Sequence, residues 1–218
     1  MAKKTTARQP KMFNFVGQPG SGKTTKLIEA VNAKLKNGGR VLIVDPDGAE
    51  EAWDKFKRLD KGINDLKPDF KGAVVIDYDP QSKTTTGTFE HLWNELIKPG
   101  KLKNFTLVLD DPNVYAKDKL IPELINLLRR KRQHNYDIFT TSHGWGETPK
   151  RFFDFIDIYI VGPTAMGPED RKDVLGPSKT AIHNQWKTKA DSEAREAKSA
   201  NRHHRFFAFD KDGNAIGS

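Results

Sequence analysis

The residues with the clearest chemical purpose lie in one stretch, residues 13–25, FNFVGQPGSGKTT. Gly17, Gly22, Lys23 and Thr24 fill every fixed position of G-x-x-x-x-G-K-[ST]; an apolar strand-like run precedes them and a helix-like run, KLIEAV, follows. Glycines let the backbone wrap closely enough for successive N–H groups to point inward at phosphate oxygens. The new helix adds the positive end of its dipole. On this reading Gly17, Gln18, Pro19, Gly20, Ser21, Gly22, Lys23, Thr24 and Thr25 cradle a nucleoside triphosphate. Lys23 reaches the β- and γ-phosphates, Thr24 offers its hydroxyl to Mg2+, and ATP and Mg2+ are the expected cofactors.

Further candidates stand at the ends of other apolar runs. Residues 105–111, FTLVLDD, read as a strand ending in two carboxylates. Asp110 is the expected metal-side residue, holding Mg2+ through water, and Asp111 the candidate base that polarises an attacking water. Residues 41–48, VLIVDPDG, also fit the D-x-x-G of a GTPase. Asp45 follows Lys23 by only 22 positions, leaving little room for a switch loop, and the one [NT]-K-x-D, Thr188-Lys189-Ala190-Asp191, follows no apolar strand. Both are read as chance matches, and Asp77 and Asp79 as loop structure. Another run, residues 136–140, ends at Thr141-Ser142-His143, where Ser142 or His143 is placed to touch a γ-phosphate or the attacking water.

These candidates need a scaffold, and strands alternate with helices throughout. Strands are expected at residues 12–16, 40–44, 73–78, 105–109, 136–140 and 156–161. Helices are expected at 23–36, 50–59, around 89–97, at 118–133 and at 150–155. Phe89, Leu92, Trp93, Leu96 and Ile97 make a helical stripe, as do Ile121, Leu124, Ile125 and Leu128, with Arg132 continuing in phase. Near-continuous apolar strands ending in polar residues predict a parallel sheet covered on both faces, with the site at its carboxyl edge. The expected fold is therefore α/β, a three-layer P-loop NTPase of RecA/ASCE-like type with a mostly parallel central sheet. Residues 1–11 read as a flexible basic arm, 12–163 as the core, and 164–218 as a helix/strand extension packing on the core or on a neighbouring subunit.

With 218 residues and 36% hydrophobic content, the chain supports one large domain and an appendage. It has no cysteine, which excludes disulfides and thiolate metal sites. No apolar run approaches the ~18 residues of a membrane span, and no apolar stretch follows the basic start, so a soluble chain without signal peptide is expected. The net charge of +8 suits a polyanion, nucleic acid first. Lys3, Lys4, Arg8 and Lys11 near the start and Arg202, His203, His204 and Arg205 near the end are the candidate phosphate contacts.

Taken together, GQPGSGKTT, VLIVDPDG, TLVLDD and RQHNYDIFTTSH resemble the FtsK/HerA superfamily of DNA-pumping ATPases, and within it the genome-packaging ATPases of membrane-containing icosahedral viruses. The resemblance spans residues 12–161. In FtsK-like pumps an Arg stands 11 positions before a strand-end Gln, and Arg132 stands 11 before His143. The chain departs from the pattern with Asp111 for the usual Glu and His143 for the usual Gln. The resemblance implies ATP hydrolysis coupled to translocation of double-stranded DNA, a homo-oligomeric ring that is a hexamer when assembled, capsid or portal-vertex proteins as partners, and a place in the virion or host cytoplasm. A helix rising ~1.5 Å per residue puts Arg132 roughly 20 Å from its own nucleotide. Arg132 is then either an arginine finger acting on a neighbour's site or a helix-terminal cation. A nucleotide-switched assembly protein and a small-molecule kinase are the alternative functions.

Overall fold

The computed structural model describes residues 9–46, 51–78, 87–116, 121–199 and 205–217. The basic residues Lys3, Lys4 and Arg8, the Asp47-Gly48 half of D-x-x-G, Asp79, the start of the expected 118–133 helix, and Arg202, His203 and His204 lie outside the described residues. In chain order the elements are β1 (Met12–Val16), α1 (Lys23–Lys36), β2 (Val41–Pro46), β3 (Lys57–Arg58), β4 (Ala73–Tyr78), α2 (Thr88–His91), β5 (Phe105–Leu109), α3 (Asn113–Ala116), α4 (Pro122–Arg130), β6 (Tyr136–Ser142), β7 (Ile158–Val161), α5 (Lys172–Leu175), α6 (Lys179–Gln185), α7 (Ser192–Ser199) and β8 (Phe207–Asp210).

The strands form one sheet in the order β3-β4-β2-β5-β6-β1-β7-β8. Every pair is parallel except β7 with β8. Alternate residues feed two cores, as the two-residue strand period requires. Phe15, Val41, Ile43, Val75 and Val108 meet Leu27 and Val31 of α1 on one face. Val16, Leu42, Val44, Leu107 and Leu109 meet Leu124, Leu127 and Leu128 of α4 and Phe89 of α2 on the other. Each such fully buried aliphatic side chain contributes ~1.5–3 kcal/mol of transfer free energy. The result is the three-layer α/β arrangement of P-loop NTPases, with all the parallel strands ending at one edge.

Several local expectations need correction. The 50–59 helix is one turn, Glu51–Trp53, followed by β3, which adds to the sheet edge beside β4. The 89–97 helix starts as α2 and widens into a π-type turn over Leu92–Ile97, keeping Leu92, Trp93, Leu96 and Ile97 buried. The 150–155 helix is a short turn, Lys150–Phe152. In the described part of the 118–133 region, α4 begins with Pro122 in its first turn, where a missing N–H costs nothing. It ends at Arg130, with Arg129 and Arg130 in the last turn, where cations suit the dipole. The chain then turns through 131–135, with Asn135 at φ 52. The helical phase is therefore broken before Arg132, which is 62% exposed, and Lys131 is the buried cation. Lys131 Nζ donates to the Phe155 carbonyl at 2.8 Å and pairs with Asp157 Oδ2 at 3.1 Å.

Beyond residue 163, Leu175, Ile182, Ala190 and Phe209 join the same core as Tyr159 and Trp145. β8 runs antiparallel to β7, with Val161 opposite Phe207. Among the described residues no helix is long and apolar enough to cross a membrane.

Candidate nucleotide site

β1 delivers the glycine-rich loop between the ends of its two neighbours. Gly17 N donates to the Ser142 carbonyl at the end of β6 (3.1 Å), and Gln18 N to the Pro163 carbonyl just past β7 (2.7 Å). Gly20 and Gly22 have φ of 74° and 88°, where any Cβ would be strained. Gly22 is also the residue that caps α1. At Gly17 a Cβ would come within 2.5 Å of Ser21 Oγ, so a side chain there would force the Ser21 hydroxyl to turn away. Ser21 is buried and its hydroxyl has no hydrogen-bond partner. A buried loop hydroxyl without a partner, among backbone donors freed by left-handed glycines, suits the oxygens of a phosphate chain.

Lys23 is buried at the start of α1, and its Nζ donates to His143 Nδ1 at 3.2 Å. An ammonium has no acceptor, so Nδ1 accepts and the ring proton sits on Nε2. Nε2 lies 3.9 Å from Asp111 Oδ2. Lys23, His143 and Asp111 thus form a line across the ends of β1, β6 and β5. His143 is held there from below. Asn14 in β1 accepts from Ser142 Oγ (3.1 Å), and Thr148 Oγ donates to Ser142 Oγ (2.9 Å), all three residues buried. Of the two residues expected to face the γ-phosphate, Ser142 is consumed by this network and His143 stands in front of it.

The two carboxylates after β5 differ. Asp110 is buried and oriented by Thr141 Oγ1 (2.6 Å), Trp53 Nε1 (2.9 Å) and its neighbour's N–H (3.2 Å). Asp111 takes a left-handed backbone, φ 35, and one of its oxygens, Oδ1, is buried with no hydrogen-bond partner. Thr141 sets both: its hydroxyl donates to Asp110 and accepts from Asp111 N (2.9 Å). Thr24 is half-buried one residue into α1. With Thr24 and Asp110 as the oxygen donors, the residues present fit a hydrated Mg2+ shared with phosphate oxygens.

Arg132 is not part of this group. It precedes β6 at the opposite edge of the sheet, where it pairs loosely with Asp157 (3.7 Å). With Lys34, Arg40 and Asp137 it lines an open groove of about 750 Å3.

The sequence reading missed Trp53, Thr141, Asn14 and Thr148, and it read Asp45 as part of a chance D-x-x-G match. Asp45 is fully buried at the end of β2, next to β5, and Arg58 of β3 donates to it at 2.9 Å. Arg58 also bonds Asp54 (3.0 Å) and Asp77. Burial raises the Asp45 carboxyl to about 6; Arg58 opposes that shift, and the charges of Asp110 and Asp77 add to it. An acid ending an apolar run was a visible signal for Asp45. Trp53, in a polar stretch, had none.

A family profile described as Zeta toxin matches residues 1–68, which include β1, the loop and α1. No curated protein matches the chain. Solved structures are similar over nearly the whole length, three of them as follows. The genome packaging NTPase B204 from Sulfolobus turreted icosahedral virus 2 in complex with AMP has a TM-score of 0.64 and 17% identity, covering 96% of each chain. B204, the DNA-packaging ATPase from Sulfolobus turreted icosahedral virus, has a TM-score of 0.63 and 17% identity, covering 96% of this chain and 97% of that one. The virus 2 protein in complex with ATP-gammaS has a TM-score of 0.58 and 18% identity, covering 96% of this chain and 95% of that one. In fold the chain resembles viral genome-packaging NTPases, and its architecture is that of a P-loop NTPase.

Proposed function

We propose that the chain is a Mg2+-dependent ATPase that moves double-stranded DNA into a viral capsid. The observation that carries the hydrolytic half is the line Lys23–His143–Asp111 at the mouth of the glycine-rich loop. The translocating half is supported by the likeness to B204 structures, described as a DNA-packaging ATPase and as a genome packaging NTPase with AMP and ATP-gammaS.

Loop N–H groups and Lys23 hold the β- and γ-phosphates, drawing negative charge to the α1 terminus. Thr24 and Asp110 would hold Mg2+, which neutralises phosphate charge when bound. Asp111, with Oδ1 free of partners, accepts a proton as the water oxygen bonds the γ-phosphorus and the bond to the ADP oxygen breaks. His143 stands between Lys23 and Asp111, where its Nε2 proton can orient the γ-phosphate or the water.

Arg132 completes the site in trans. At the amino edge of the sheet, β6 away from its own loop, it is separated from its own phosphates by roughly 20 Å. Its exposure leaves it able to reach a neighbour's γ-phosphate. Such an interface is head-to-tail and closes into a ring, which we take to be a hexamer. Residues 1–11 and the basic segment before β8 then meet DNA phosphates, residues 12–163 form the motor core, and 164–218 an extension on the core or a neighbour. Capsid or portal-vertex proteins are the further partners, in the virion or host cytoplasm.

The test is ATP turnover with and without double-stranded DNA. DNA stimulation, with sequence-independent binding that weakens steeply with salt, supports the motor; ATP-dependent assembly without stimulation supports a nucleotide switch instead. Arg132→Ala should bind ATP but lose turnover, and mixing it with Lys23→Ala protein should restore some, because one mixed interface pairs an intact loop with an intact arginine. No recovery between proteins that still assemble removes the finger.

A further inference from the structure

The line from Lys23 through His143 to Asp111 fixes which way a bound nucleotide points. All three lie at β1 or on its β6–β5 side, so the γ-phosphate end belongs there. The nucleoside end of the same molecule must leave on the other side of β1, over the end of β7. A specific surface waits there. Val16 of β1 and Val161 of β7 are register partners, so Gly17 and Gly162 are the next pair, joined by Gly162 N donating to Val16 O at 2.9 Å. Val161 in turn faces Phe207 of β8, which brings Phe206 opposite Gly162.

The Phe206 ring lies across both glycines. A Cβ on Gly162 would stand 2.6 Å from two ring carbons, and one on Gly17 would stand 3.6 Å from the ring. Two adjacent strand ends therefore both lack side chains on the face that one aromatic ring occupies. The ring is only half-buried. Polar groups of the two residues after Gly162 are engaged. The Pro163 carbonyl accepts from Gln18 N; Thr164 Oγ1 accepts from Trp186 Nε1 and donates to the Met166 carbonyl, both at 2.9 Å. The half-buried ring offers a ligand an aromatic surface.

We propose that Phe206, supplied by the C-terminal segment, is the platform on which the base of the bound nucleotide stacks, so that the phosphate loop and the extension share one ligand. This rests on the phosphate-loop assignment above, and the experiment separates the two. Equilibrium binding is measured for ATP and for inorganic tripolyphosphate, which has the phosphates and no base. Phe206→Ala should weaken ATP binding by roughly 10-fold, the usual worth of one base–aromatic stack, and leave tripolyphosphate binding unchanged. Gly162→Ala should act in the same direction without touching Phe206, because its methyl group displaces the ring. Phe206→Trp should restore ATP affinity and, relative to wild type, add an indole fluorescence change with ATP that tripolyphosphate does not produce. If Phe206→Ala weakens both ligands equally, the ring merely props the loop and the inference falls. Unchanged ATP binding in both alanine variants also overturns it. A wild-type chain that binds neither probe, or a Lys23→Ala chain that binds tripolyphosphate as well as wild type does, overturns the phosphate-loop assignment and this inference with it.

Discussion

Two acidic shoulders stand side by side on the carboxyl edge of the sheet, and they handle charge in opposite ways. At the ends of β2 and β4, Asp45, Asp77 and the nearby Asp54 all converge on one guanidinium, that of Arg58. At the ends of β5 and β6, neutral donors, the Thr141 hydroxyl and the Trp53 indole, aim Asp110, and an imidazole faces Asp111. A guanidinium is charged at every pH a protein meets and its fork fixes the carboxylates it binds. Hydroxyl and indole groups fix direction without cancelling charge. The first shoulder is tied to a fixed cation; on the function proposed above, the second meets a ligand. Composition alone does not separate them, since both are acids ending apolar strands.

The comparison can be broken by mutation. Lys23→Ala should cost turnover by ~10²-fold or more, the scale of a lost electrostatic contact at such a site, with circular dichroism unchanged. Unaltered turnover would put the phosphate loop itself in question. Arg58→Ala should do the reverse. It leaves Asp45 buried without its cation, and urea denaturation should show a loss of about 2–3 kcal/mol, below the fully buried extreme because Arg58 is a quarter exposed. Turnover falling as far as in Lys23→Ala would place Arg58 in the site and erase the distinction between shoulders.

Acid titration sharpens it. The Asp45 carboxyl is raised from 3.8 to about 6 in the folded chain. Between those values the folded state binds the extra proton, so stability is greatest below the window and is lost as pH rises through it. Asp45→Asn should remove roughly 2 kcal/mol of that decline, read as the difference in unfolding free energy between pH 4 and pH 6.5; an unchanged slope would mean Asp45 does not titrate there. The smallest effect is expected at Asp111, whose φ of 35 favours Asn or Gly. Asp111→Asn should keep stability within about 0.5 kcal/mol while Asp111→Ala costs about 1 kcal/mol more; equal stability of the two variants would show that the backbone relaxes.

The parallel sheet was legible because β2, β4 and β5 are buried on both faces, and such strands must read as apolar runs. The phosphate loop was legible because phosphate binding fixes glycines at set spacing. The supports were not. Trp53 reaches Asp110 across 57 positions, and nothing local marks an indole as a donor to a distant carboxylate. The Asn14–Ser142–Thr148 network spans 134 positions and looks like scattered polar residues in the chain. Arg132 misled the helical reading because periodicity predicts a face only while the helix lasts, and α4 stops at Arg130. The Phe206 platform was invisible for the opposite reason: its evidence is two missing side chains, and a glycine in sequence does not say what occupies its place.

The position of β1 has a consequence for how the molecule is made. Met12 pairs with Ile138 and Phe13 with Ile158, so the strand that carries the nucleotide loop has both partners far downstream. At ~5–20 residues per second of synthesis, the ~120 residues separating Val16 from Tyr136 take roughly 6–24 s to appear. During that time the first strand waits with both hydrogen-bonding edges open, a condition that invites aggregation. Nucleotide cannot be gripped before the middle of the sheet closes around that strand. On the ribosome, then, the earliest-made motif would be the latest to function, and nucleotide capture would mark a nascent chain that has finished folding.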